Sequence, residues 1–140
     1  MLRELEEGIL GLIRQQVPGL KTVKGYEGDF DRGTMREILG LMPCALVVYE
    51  GQDLEERNMD LLRKVRFTVL VGARSYRKGE AREEAFELLE AVEGALFGQR
   101  VEGLKMLPLA LRSERLVYRD SQIVVFGQSY ETTVFERKTL

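Results

Sequence analysis

The sequence predicts an α+β domain: a mixed or antiparallel β-sheet of four to five strands, with helices packed mainly on one face, in the order α-β-α-β-β-α-β-β. Three observations carry this reading. Val65, Phe67, Val69, Val71 and Ala73 fall on alternate positions and so share one face of a strand. After the polar link Ser75-Tyr76-Arg77-Lys78-Gly79, Ala85, Leu88, Leu89, Val92 and Leu96 recur at spacings of three and four, the stripe of a helix lying on a sheet. The polar segment 52–60 before the first of these elements is too short for a crossover helix with its loops, so it predicts the tip of an antiparallel hairpin.

Leu2, Leu5, Ile9, Leu12 and Ile13 define the first amphipathic helix. Its early glutamates complement the positive end of the helix dipole, Arg14 lies near the negative end, and Pro18-Gly19 closes it. Residues 20–26 alternate weakly and form a short strand. Asp31 is placed to cap a second helix over residues 32–41, with Met35, Ile38, Leu39 and Met42 turned inward and Pro43 as its stop. Residues 45–50 are apolar and β-branched in the middle, which predicts a second strand stopped by Gly51. The third strand starts near Leu62, and the third helix covers residues 80–97. An irregular strand over residues 107–118 is followed by a turn at Asp120-Ser121 and a long strand over residues 123–137, where Gly127 is the candidate bulge. Without both ends, the order is the split βαβ arrangement of a ferredoxin-like layer. A chain of 140 residues fits one such domain, residues 1–140.

Charge excludes several functions. The chain has 21 basic and 23 acidic side chains, interspersed, for a net charge of -2. That is not the basic footprint of a dedicated nucleic-acid binder. The single Cys44 cannot form an internal disulfide; its setting Pro43-Cys44-Ala45-Leu46-Val47 predicts a small buried side chain and a reducing, cytosolic origin. No window approaches the roughly 18 consecutive apolar residues of a membrane span. The acidic start of the chain has the wrong order for a signal peptide.

Reactive chemistry is equally sparse. The sequence contains no histidine, which removes the commonest general base and zinc ligand. Its glycines do not form a phosphate-cradling motif. Glu83, Glu84, Glu87 and Glu90 oppose the apolar stripe of their helix and read as its solvated back, ahead of a metal site. The sequence therefore predicts no catalytic, cofactor-binding or metal-binding residues. Two groups remain as an interaction surface. Asp53, Glu55, Glu56 and Arg57 form a charged hairpin tip suited to a partner, while Arg74, Arg77, Lys78 and Arg82 cluster at the start of the third helix. The basic cluster serves either solubility or contact with an acidic protein or passing nucleic acid. Tyr76 beside it is a single ring, not a stacking platform.

The segments LEEGILGLIRQQVPGLKTVKGY (5–26), Gly28-Asp29-Phe30 and MPCALVVYEG (42–51), then FTVLVGARS (67–75), AFELLEAVEGAL (85–96), Gly98-Gln99 and Ser129-Tyr130-Glu131-Thr132, lie in an order that resembles the Gp37-like family of tail proteins from Mu-like phages and prophages. The resemblance implies the tail terminator or tail completion class: α+β subunits forming a ring, commonly hexameric, that caps the finished tail tube and faces the head connector. The implied partners are further copies of the chain, the tail tube protein and the head-tail connector protein, with DNA only as passing cargo and no membrane. The implied location is the host bacterial cytoplasm during assembly and then the neck end of the virion tail. The family supplies no catalytic residues or cofactors. The last strand exceeds the usual strand length, so its end is expected to project and pair with a neighbour. The alternative is a small-ligand-binding or regulatory ferredoxin-like domain that uses the sheet face or the entrance of the third helix.

Overall fold

A computed structural model describes residues 1–27, 37–74 and 80–137 of the chain. The elements are α1 (Leu2–Gln16), β1 (Thr22–Gly25), β2 (Cys44–Arg57), β3 (Asp60–Arg74), α2 (Glu80–Leu96), β4 (Ala110–Arg119) and β5 (Ile123–Arg137). Residues 37–39 form a helical turn, the described part of the helix expected over 32–41. The Asp31 cap and the link 75–79 lie outside the described residues.

The strands form one mixed sheet in the order β1-β2-β3-β5-β4. β1 runs parallel to β2, and every other neighbouring pair is antiparallel. Because β3 and β4 both oppose β5, they run parallel to each other with β5 inserted between them. The unit β3-α2-β4 is thus a split βαβ.

Both long helices lie on one face. Leu5, Ile9 and Ile13 of α1, with Leu89, Val92 and Leu96 of α2, pack on Ala45, Val47, Val65, Phe67, Val69 and Val71. The opposite face has its own cluster, where Ile38 and Met42 cover Cys44, Leu46, Leu70, Ile123 and Val125. Burial from both sides explains why residues 69–73 of β3 lose polar alternation. Ala81 and Ala85 bring the start of α2 close to Ala73 and Val124.

Four expectations are corrected. Gly51 does not stop β2: it adopts φ +126° at a register shift between Tyr49 and Gly51, and pairing with β3 resumes through Arg57. The hairpin tip is accordingly only Asn58-Met59, and residues 53–57 are strand. Their charges looked like a loop because no helix among the described residues covers either face of this extension, so neither face is apolar. Gly127 is no bulge, since β5 pairs with β3 without a shift along its whole length. A Cβ there would meet the Thr68 and Val117 Cγ2 atoms at 3.2 Å each, so the glycine allows close packing. The shifts fall in β4, between Leu111 and Ser113 and between Leu116 and Tyr118.

The fourth correction concerns the end of β5. It does not project: Arg137 lies opposite Asp60 at the start of β3. Its other side meets residues 105–107, through Leu107 N–H to Thr133 O (2.9 Å), Phe135 N–H to Lys105 O (2.8 Å) and a bridge between Met106 and Val134. The strand is long because two partners cover it, and that coverage is invisible in its own residues.

Candidate interaction surface

The interior holds one thiol and a buried hydrogen-bonded network around Gln128. Burial pushes the Cys44 thiol from its ordinary 9.0 up to about 11, which keeps it protonated and unreactive at neutral pH. Gln128, fully buried on β5, donates from Nε2 to Leu89 O (3.0 Å) and to Glu114 Oε1 (2.7 Å), while its Oε1 accepts from the Tyr130 hydroxyl (2.8 Å). Tyr130 stacks on Phe67 with ring centroids 5.6 Å apart. Burial, then the nearby charges of Glu93 and Glu114, hold its hydroxyl far above the usual phenol range. This network ties α2 and β4 to the middle of the sheet.

Carboxylates do not converge. Glu83, Glu87 and Glu90 are exposed along α2. Among the described residues, no group of three or more acidic or cysteine side chains could hold a metal ion. No helix among them is long and apolar enough to cross a membrane.

The charge that is organised lies on the face opposite α1 and α2, at the hairpin end. Asp53 on β2 accepts from Arg66 on β3 at 2.6 Å, and this hydrogen bond, with the attraction of opposite charges, raises the Arg66 pKa. Glu131 on β5 bridges Lys64 on β3 (3.3 Å) and Arg112 on β4 (3.5 Å). Read across the sheet, the row is Asp53, Arg66, Glu131, Arg112. Its signs alternate, with an acid at the β2 edge and a base at the β4 edge.

The sequence-predicted surface residues are placed as follows. Asp53, Glu55, Glu56 and Arg57 stand on the outer half of β2, with Glu55 accepting from Arg57 at 2.9 Å. Arg74 ends β3, and Arg82 lies 5.1 Å above the Phe86 ring on α2. Arg77 and Lys78 lie outside the described residues. The acidic group and Arg74 are at opposite ends of β3, because Arg57 is level with Asp60 across the hairpin. They are not one site. Sequence reasoning missed Arg66, Glu131 and Arg112. Their signal was present as isolated charges within apolar strands, but only cross-strand register brings them together.

Two further features flank the sheet. A cleft of about 550 Å³ opens between the first half of α1 and β2, lined by Leu5, Ile9, Tyr26, Val47, Val65 and Phe67, with Arg3, Glu6 and Glu50 also on its wall. A second apolar patch on the same face combines Phe86, Leu116 and Phe126. The Phe86 and Phe126 rings lie 5.7 Å apart.

Comparison with known proteins gives a consistent family and fold. A family model described as "Bacteriophage Mu, Gp37" matches residues 1–135. Among solved structures, a chain from "Virion of native gene transfer agent (GTA) particle" shares the fold with a TM-score of 0.55. The two are 10% identical, over 94% of this chain and 95% of that chain. No curated protein matches the chain.

Proposed function

The chain belongs to the bacteriophage Mu Gp37 family, and on that premise we propose that it is a structural tail assembly protein of a phage or prophage. It caps the tail tube, stops its growth and joins the tail to the head connector as a ring, for which we take six copies. The observation that carries this reading is the family match over residues 1–135, which takes in every helix and strand described above but the last two residues of β5. The architecture is suited to the role: a sheet whose two edges have no further strand beside them among the described residues, with charged rows across it, is what a ring subunit uses, and a ring subunit needs no reactive group. In this reading the protein is not an enzyme. It acts in the host cytoplasm and ends at the neck of the virion tail, with the tube protein and the head-tail connector as partners.

Deleting the gene tests the proposal. Tails of uncontrolled length, without attached heads, are expected; tails of normal length with full infectivity would overturn it. The cleft beside α1 supports a second reading, a small-ligand or regulatory domain, because its apolar lining and charged wall suit a small amphipathic molecule. A thermal-shift screen decides that reading, and no reproducible shift would remove it.

A further inference from the structure

We propose that neighbouring copies join edge to edge, with residues 48–57 of β2 in one copy pairing antiparallel with β4 of the next, so that their sheets become one continuous band. The inference rests on the ring reading above and names the surfaces that would close the ring. β1 pairs only with Cys44–Val47 of the 14-residue β2, which leaves the ten residues 48–57 as an outer edge with no strand beside it among the described residues. At the other side of the sheet, β4 is the last strand and is also 10 residues long. The two strands run in opposite directions within the molecule. A rotation that keeps the helices of all copies on one side therefore makes the contact antiparallel, head to tail and able to close. Unpaired edges of this length invite strand addition.

Both faces of the two edges are complementary. On the face opposite the helices, the charged row ends in Asp53 at β2 and Arg112 at β4. A second copy placed with its Asp53 opposite Arg112 of the first continues the alternation, with Glu55 and Arg115 on the same face, to either side of that pair. On the helical face, Leu54 is 58% exposed, Tyr49 49% and Leu116 46%. Register places all three on that side, because Leu54 pairs with Arg63, Tyr49 with Phe67 and Leu116 with Phe126. In the antiparallel register that sets Asp53 opposite Arg112, Tyr49 of one copy comes beside Leu116 of the next. Gln52 Oε1, on the same face of the β2 edge, is buried with no hydrogen-bond partner among the described residues, and the contact would give it one.

The test uses two variants of the full chain, Asp53→Lys with Glu55→Lys, and Arg112→Glu with Arg115→Glu. Light scattering and negative-stain microscopy read assembly, and circular dichroism checks that each variant folds. Wild-type protein is expected to form rings, alone or on tail tubes. Each variant, carrying the same sign on both edges, should stay monomeric, and their equimolar mixture should restore rings of alternating copies. If a variant fails to fold, Tyr49→Cys combined with Leu116→Cys replaces it. Since Cys44 is buried, a short bismaleimide should then convert assembled rings into a ladder of covalent oligomers. Wild-type rings whose variants also assemble alone, or rings that give only monomers on crosslinking, overturn the edge pairing and leave the ring reading standing. Wild-type protein that never forms a ring overturns both.

Discussion

Gln128 shows how a polar residue in the middle of an apolar strand is stabilised. Both ends of its amide are used inside the fold, and removing it strands the buried Tyr130 hydroxyl that donates to it. Gln128→Ala should therefore cost about 2–4 kcal/mol, combining a cavity with unsatisfied polar groups, as read by urea unfolding. Cys44 gives a pH signature. Its folded pKa is raised above the ordinary 9.0 to about 11, so folding favours the protonated thiol. That contribution is fully present below pH 9 and is lost as pH rises towards 11; over this window it is on the order of 3 kcal/mol. The melting-temperature difference between wild type and Cys44→Ala, followed from pH 8 to 11, should shrink along the same window. A difference that stays constant would contradict it.

The β2-β3 hairpin depends on two unusual backbone positions. Gly51 at φ +126° adopts a conformation that side chains rarely reach, and it lets β2 re-register beyond Tyr49. Gly51→Ala should destabilise by about 1–3 kcal/mol and weaken protection of the hairpin amides in hydrogen exchange. Asn58 at φ 54° turns the tip, in a left-handed conformation that asparagine tolerates and glycine prefers. Asn58→Gly should leave stability unchanged or raise it by up to about 1 kcal/mol in the same assay. At the far end of the sheet, Asp120 fixes the turn from β4 into β5 by accepting from the Gln122 and Ile123 amides at 2.8 and 3.0 Å. The first of these bonds does most to hold its carboxyl below the usual range.

At the scale of the molecule, truncation and salt separate folding from assembly. Phe135 and Glu136 pair with Leu62 and Leu61, and Arg63 holds Glu136 at 3.1 Å. Deleting residues 135–140 should thus lower the stability of the monomer itself, seen as a fall in melting temperature at any protein concentration. Edge pairing through charged rows should instead respond to ionic strength, because raising salt from about 0.1 to 1 M shortens the screening length from about 10 to 3 Å. Rings should dissociate over that range while the monomer's circular dichroism spectrum stays constant. Rings insensitive to salt would mean that the apolar contacts alone hold the edges.

The sequence by itself determined the element order, the two long helices and the bounds of β5, because period and composition are local and each element buries a stripe written in its own residues. It also determined that Cys44 is interior, and it placed the chain in the bacteriophage Mu Gp37 family. Only the tertiary structure decided how far β2 runs, what flanks the end of β5 and which charges form one row. Those features are set by hydrogen bonds and ion pairs between strands up to some 75 residues apart along the chain, for instance Arg63 with Glu136. A window read along one strand carries its own pattern but not the identity of the strand beside it, and register is a property of the pair.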